Sequence, residues 1–314
     1  MDYAIASDIG GTNLRVGLVR EDGALEQKQE YKTPQNNPDE VVALLLNAIG
    51  KLDTRGKAIA GIGVGVGGFV DFEEGQVVYT PNFSFSNIHL KDILAKRFKL
   101  PAYVDNDANL AALGEKTYGA GKGVDNLVGL TLGTGIGGGI IINGQLYRGK
   151  RSAAAEIGHM TIQMGDPACG CKNDGDLEAL AGGRALDVEA RKQAKEHKDS
   201  LIYRLAEGQI EKITGVLVTK AALRGDELAQ KLLRQHAERL AVGLANIVNI
   251  LDPEIIVLNG GLAEAGNLLL QPAKAILKKR IFADTKNSPK IVFGALGTDA
   301  GTLGAAALVF EQLK

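Results

Sequence analysis

The feature that most constrains this 314-residue chain is a glycine-turn hairpin that occurs twice. Asp8-Ile-Gly-Gly-Thr-Asn13 sits between two short apolar runs, Tyr3 to Ile9 and Leu14 to Val19, and the order reads strand, tight turn, strand. Residues 127–142, with Leu132-Gly-Thr-Gly135 at the turn and Ile140-Ile-Ile142 after it, read the same way. Glycine has no Cβ, so the N–H groups of Gly10 and Gly11 can approach a phosphate closely, while Thr12 and Asn13 add side-chain donors. The dinucleotide fingerprint and the lysine-bearing P-loop both need a helix after the turn, and Leu14-Arg-Val-Gly-Leu-Val19 is too β-rich and too short for one. Either hairpin alone reads as an ordinary turn. The pair suggests two similar halves that clasp one nucleotide.

The chain exceeds the size at which one core keeps growing, so two domains are the prior. A formal net charge of −1 argues against a basic face for nucleic acid or acidic lipid. The longest apolar run, 127–142, is shorter than a membrane span and broken by glycines, and no signal segment opens the chain, so a cytoplasmic location is expected. Two cysteines, two residues apart, fit no disulfide framework and suit a reducing compartment.

After a third strand near Glu26 to Lys32, Asp39 to Leu52 carries Val41, Val42, Leu45, Ile49 and Leu52 on one helical face behind a Pro38-Asp39 start signal. Ile59 to Val66 reads as a strand buried on both sides and ends in Gly67-Gly68, where open α/β sheets place ligands. A helix is expected from about Leu90 to Phe98, and Pro101 to Val104 is a further strand. That strand runs into Asp105-Asn106-Asp107 and a helix to Tyr118. Two acids and an amide there are placed to bind a polar ligand and accept a proton. The bland alternative is an N-cap with surface acids. Cys169 and Cys171, with His159 before them and Asp176 after, make a tetrahedral zinc set; the alternative is free thiols with His159 as an ordinary polar residue. Residues 184–225 read as helical and architectural. Asp226 to Leu251 reads as a long core helix stopped by Pro253, and Ile255 to Leu258 as a buried strand. The turn Asn259-Gly260-Gly261 then suits a planar base or a ribose, and a helix follows. Lys290 to Phe293 is the last strand, and Gly301 to Gln312 a small-residue helix packed back on the first half.

With these motifs set out, the chain resembles the sugar kinases of the ROK family, most of all their bacterial glucokinases. The resemblance covers essentially the whole chain. It is carried by Asp8 to Asn13, Val104-Asp-Asn-Asp-Ala-Asn109, Leu132-Gly-Thr-Gly-Ile-Gly-Gly-Gly139, Glu156-Ile-Gly-His159, the Cys169 to Glu178 segment and Asn259-Gly-Gly261. The fold it implies is α/β, a two-domain actin/hexokinase-like (ribonuclease H-like) ATPase fold with the active site in the interdomain cleft. Residues 1–116 plus 300–314 would form the smaller domain and 117–299 the larger one.

The activity it implies is ATP-dependent phosphorylation of a hexose at its 6-hydroxyl. Glucose leads, with fructose, mannose, allose, N-acetylglucosamine and N-acetylmannosamine as alternatives, and polyphosphate is the alternative donor. Asp107 would be the general base, and Asp8 would hold Mg²⁺ through water. Gly10, Gly11, Thr12, Asn13, Gly133, Thr134 and Gly135 would meet the phosphates, and Gly260 and Gly261 the adenosine. Gly68, Asn82, Asn106, Asp107, Glu156, His159 and Glu178 would hold the sugar. Family members commonly form dimers or tetramers, so a homodimer or homotetramer is expected.

Two departures from the family pattern stand out. Its zinc segment usually reads Cys-x-Cys-Gly-x-x-Gly-Cys-x-Glu, whereas Lys172 replaces a glycine here and Asp176 the third cysteine. His159, Cys169, Cys171 and Asp176 remain the implied zinc set, with weaker affinity than three cysteines would give. The tryptophan often found in the sugar loop is missing, because the chain has none, and Phe85 is the expected cover for that surface. The competing classes are a sugar-sensing transcriptional repressor and a sugar-binding protein without catalysis. The first is disfavoured because the phosphate motif begins at Asp8, leaving no room for a helix-turn-helix, and the second because Asp107 and both hairpins are intact.

Overall fold

The computed structural model describes residues 1–81, 83–165, 173–282 and 288–313. Two five-stranded sheets repeat one plan. In the first, β1 (Asp2–Ile9), β2 (Asn13–Arg20) and β3 (Leu25–Lys32) form an antiparallel meander, and β4 (Ala58–Val66) and β7 (Ala102–Asn106) add parallel strands, giving the order β3-β2-β1-β4-β7. In the second, β8 (Leu127–Leu132), β9 (Ile136–Ile142) and β10 (Gln145–Leu146) precede β11 (Ile255–Asn259) and β12 (Lys290–Phe293), in the order β10-β9-β8-β11-β12. The glycine turns expected from the sequence therefore occupy the same place in each sheet. A small ribbon, β5 (Phe69–Asp71) with β6 (Gln76–Tyr79), and the two-residue β10 were not foreseen, being too short for a period to register.

The helices follow local signals. Asn37 caps α1 (Pro38–Gly50) by accepting from Asp39 N, with Pro38 at the first turn and Val41, Leu45, Ala48 and Ile49 buried. Lys99, in a left-handed conformation, closes α2 (Leu90–Phe98). α3 (Asp107–Tyr118) starts at the end of β7, and α10 (Ala300–Glu311) packs against it and against β1 and β4. Every residue of α10 from Ala300 to Phe310 is buried. A methyl group added at Gly304 would overlap the Leu110 carbonyl of α3, so the two backbones approach as closely as only glycine permits. Between β10 and β11 run α4 (Leu177–Ala181), α5 (Gly183–Glu196), α6 (Leu201–Leu205), α7 (Gly215–Leu223) and α8 (Glu227–Leu251). Asp226 caps α8, and Asp252 ends it in a left-handed conformation just before Pro253. α9 (Asn267–Leu277) follows β11.

The chain divides into two compact units: Met1–Gly129 with Gly139–Ala155 and Gly294–Lys314, and Leu130–Gly138 with Glu156–Phe293. The first unit thus takes in residues 117–129, 139–155 and 294–299, which the sequence division had placed in the other domain. The physical reason is packing, since Gly129 and Gly139 both lie against Ala112 of α3. Among the described residues, no helix is long and apolar enough to cross a membrane.

Candidate functional site

The first unit gathers its chemistry at the carboxyl ends of β1, β4 and β7. The β1–β2 register places Arg15 opposite Asp8, and the guanidinium Nη1 stands 3.5 Å from Asp8 Oδ2 while Nη2 reaches Glu30 Oε1 at 3.3 Å. The turn between the strands is braced from outside. Thr33 Oγ1 donates to Gly10 O at 2.7 Å, Gln35 Nε2 to Gly11 O at 2.8 Å, and Thr33 N to Thr12 O at 3.0 Å. With those carbonyls occupied the loop is set before any ligand arrives, and the Asn13 amide oxygen accepts from Lys32 Nζ at 2.9 Å; the Gly10 N–H expected for phosphate instead donates to Asn13 O at 3.0 Å, because the tight turn closes on itself.

At the end of β7, Asn106 caps α3 through its amide oxygen, which accepts from Ala108 N and Asn109 N, and its Nδ2 donates to Gly68 O at 2.9 Å. The sequence alternatives thus coincide, for the cap and the candidate ligand-binding residue are one side chain. Asp107 begins the helix, its Oδ1 accepting from Ala108 N at 2.8 Å. Asp107 and Asp8 face each other electrostatically. Burial first, and the Asp107 charge second, push the Asp8 carboxyl up to about 7, with Arg15 opposing. Gly67 lies directly against the Asp107 carboxylate.

The second unit carries the other hairpin. Its turn, Gly133-Thr134-Gly135, is exposed or half-buried, and the start of α5 holds it, with Gly183 N donating to Gly133 O at 2.9 Å and Arg184 N to Thr134 O at 3.0 Å. Glu178 of α4 reaches the same turn, accepting from Ile136 N at 2.8 Å. Glu156 and His159 lie on one short 3₁₀ turn, Glu156 Oε2 and His159 Nε2 being 3.9 Å apart. Burial pushes Glu156 above the ordinary carboxylate range; His159 opposes this and Glu178 adds to it. Asp176, fully buried, caps α4 through Oδ1 and approaches His159 Nδ1 with Oδ2 at 3.2 Å. Gly260 follows β11 with φ of +94°, and a side chain there would strike Leu132, so only glycine fits; a Cβ on Gly261 would meet open space.

The structure therefore brings together Asp8, Asn106, Asp107 and Gly68 in one unit, and Glu156, His159, Asp176 and Glu178 in the other. Asn82, Cys169 and Cys171 lie outside the described residues. Among the described residues no group of three or more metal-ligating side chains is close enough to hold one ion. Phe85 does not cover a sugar surface as expected: it is fully buried and stacks on Phe83 at 5.7 Å between ring centres, because core packing claims the aromatic side chain. Sequence reasoning missed Arg15. The hairpin register could have found it, since a turn joining Ile9 to Leu14 puts residues 8 and 15 opposite each other.

A protein-family model described as the ROK family matches residues 4–312. The chain belongs to the ROK family. The ROK relatives include the glucokinase of Thermotoga maritima, 37% identical over 311 residues and covering 98% of each chain. The crystal structure of a ROK glucokinase from Streptomyces griseus, in complex with glucose and AMPPNP, matches with a TM-score of 0.87 and 34% identity, covering 98% of this chain and 99% of that one. The xylose repressor of Caldicellulosiruptor bescii is 34% identical over 270 residues, 86% of this chain and 67% of its own. The two-domain actin/hexokinase-like fold implied by the family resemblance is the fold of this chain.

Proposed function

We propose that this ROK protein is a sugar kinase that transfers the γ-phosphoryl group of ATP to the 6-hydroxyl of a hexose, glucose first. The observation that carries the reading is the approach of Asp107 and Asp8 from either side of β4, where a Cβ on Gly65 would meet both residues, in a chain that aligns end to end with glucokinases. Asp107 takes the proton from the 6-hydroxyl as that oxygen attacks phosphorus. A carboxylate anchored at a helix start suits the task, because phosphoryl transfer depends mainly on positioning and charge neutralisation. The two glycine turns, Gly10 to Asn13 and Gly133 to Gly135, take the phosphates, and Gly260-Gly261 lies along the adenosine. Gly68, Asn82, Asn106, Glu156, His159 and Glu178 hydrogen-bond the sugar. Polar groups that would be left unpaired reject analogues lacking the matching hydroxyl.

The donor set around Asp8 fits Mg²⁺. Its carboxylate is a hard oxygen ligand whose charge burial and Asp107 make unfavourable, and a divalent cation bound through water would relieve that. When bound, Mg²⁺ supplies charge neutralisation at the phosphates. His159 Nδ1 and Asp176 Oδ2, 3.2 Å apart, are spaced like two donors on one tetrahedral zinc, whose N/O ligands lie about 3.4 Å from each other. Cys169 and Cys171 would complete that set, and well under one zinc per chain in protein purified without chelator would exclude it. The reading extends to a cytoplasmic enzyme that assembles as a homodimer or homotetramer.

A coupled assay of ADP release with Mg-ATP against a panel of hexoses tests the reading through kcat/KM. Preference for glucose establishes a glucokinase, preference for another hexose moves only the substrate, and no ADP release with any sugar overturns the kinase reading.

A further inference from the structure

Arg148 follows β10 and has no part in the reading above, yet its guanidinium is withdrawn from water at one chosen place. Nε donates to Asp105 Oδ2 at 2.7 Å, and the guanidinium carbon stands 3.7 Å from the centre of the Phe72 ring. The Asp105 side chain is 2% exposed and that of Arg148 18%, while Arg148 Nη2 is buried without a partner. A buried ion pair gains little stability once both charges are desolvated, and an unsatisfied donor subtracts from that gain. Stability alone is a poor account of the arrangement.

What the Asp105 carboxylate holds supplies a better one. Its Oδ1 accepts from Asn106 N at 2.7 Å and from Asn109 Nδ2 at 3.1 Å. Asn106 in turn caps α3 and ties Gly68, and Asp107 lies between Asn106 and Asn109 in the same short stretch. Both flanks of Asp107 are thus fastened to one carboxylate, and Arg148 fixes that carboxylate from its other oxygen. The segment carrying Arg148 is itself fastened to the aromatic shelf, since Phe72 N donates to Ser152 Oγ at 3.2 Å.

We propose that Arg148 is a positioning residue for phosphoryl transfer: through Asp105 it fixes the Asn106–Asn109 stretch and thereby the direction of the Asp107 carboxylate. The inference rests on the assignment of Asp107 as the base. A displaced base costs rate rather than binding, because misplacement by about 1 Å can lower turnover by about 10²-fold.

The test compares Arg148→Met, which keeps an apolar stem on Phe72 and removes the donor, with Arg148→Lys, which keeps a charge. Both are assayed at a temperature where circular dichroism shows each variant fully folded. The expected result for Arg148→Met is kcat lower by at least about tenfold, hexose and Mg-ATP KM values within about threefold of wild type, and partial rescue by lysine. Amide exchange over 106–110 should quicken about tenfold in the methionine variant, and this readout does not depend on activity. A folded Arg148→Met protein with kcat within about twofold of wild type and unchanged exchange would overturn the proposal, whatever its Tm. If the methionine variant does not fold, Asp105→Asn keeps the Oδ1 acceptor for Asn106 N and Asn109 Nδ2 but sets an amide against the Arg148 Nε donor, and unchanged kcat and exchange there overturn the proposal equally. A wild-type protein that phosphorylates no sugar would instead defeat the kinase assignment, with amide exchange still deciding whether Arg148 orders this stretch.

Discussion

Replacing Asp8 by asparagine should make the protein more stable at alkaline pH while removing its activity. Burial and the Asp107 charge lift the Asp8 carboxyl from 3.8 to about 7. Between those values the unfolded chain carries an ionised Asp8 and the folded chain a protonated one. The native state therefore holds the extra proton, and its stability falls as pH rises from about 4 to about 7. Three units at about 1.4 kcal/mol each set a ceiling of about 4 kcal/mol. The carboxylate is 15% exposed and shares its strain with Asp107, which brings the expected gain nearer to about 2 kcal/mol. Asparagine keeps the shape, and Arg15 keeps Glu30 as a partner at 3.3 Å, so the substitution strands no cation. In a chain of 314 residues the gain raises Tm by about 3 °C. The assay is thermal unfolding of both proteins at pH 4.5 and pH 8.0 without nucleotide or metal, with ADP release measured in parallel. A rise at pH 8.0 is expected, with about half that rise at pH 4.5, where the unfolded carboxyl is already mostly ionised. Equal Tm values at pH 8.0, or the same rise at both pH values, would refute the electrostatic argument.

Other substitutions probe separate links. Asp107→Ala should lower kcat by about 10²-fold or more with ATP affinity by calorimetry nearly unchanged, and a variant retaining about a tenth of wild-type kcat would remove Asp107 as base. His236, buried in α8 and pushed down to about 4 by desolvation, must take up a proton in the unfolded chain first, so stability should fall by about 3 kcal/mol between pH 6.5 and pH 4. His236→Gln should flatten that part of the stability curve, and an unchanged slope in chemical denaturation would contradict it. Ala155, next to Glu156, holds a φ of +68°, so Ala155→Gly should stabilise the protein by about 0.5–1 kcal/mol; a loss would show that the alanine side chain packs usefully there.

How far the sequence was legible depended on the reach of each signal. The hairpins, the β7 strand with its Asp-Asn-Asp end, and α8 with its Asp226 and Asp252-Pro253 stops are written in local spacing, and the structure keeps them within a residue or two. Asn106 and Asp107 were legible because a cap and a candidate ligand-binding residue share one short stretch. Arg15 was legible only through the hairpin register that sets it opposite Asp8, and Arg148 was not, since it reaches Asp105 from a loop 43 residues away. Phe85 failed for a related reason: its composition permits either a sugar cover or a core position, and only the surrounding packing decides. The extent of the first unit was hidden likewise, because contacts at Ala112 rather than any change in composition draw residues 139–155 into it.

Asp176 joins these levels. It stands where the family pattern has a cysteine, yet it is also the cap of α4, the helix that carries Glu178 to the second glycine turn. The same side chain meets His159 Nδ1, and what lies on that nitrogen sets the polarity of the other one. A metal on Nδ1 leaves the proton on Nε2, which then donates on the side of Glu156; a hydrogen bond from Nδ1 to Asp176 places the proton on Nδ1 and leaves Nε2 an acceptor in the neutral ring. Glu156, pushed upward by burial, holds a proton over a wider pH range than an ordinary carboxylate and can meet either polarity. Metal at this point would therefore switch His159 Nε2 from acceptor to donor within the proposed sugar-binding group. Chelation that leaves the fold intact and changes hexose KM more than kcat would be the signature of that reversal, because the group it alters contacts the sugar rather than the transferred phosphoryl.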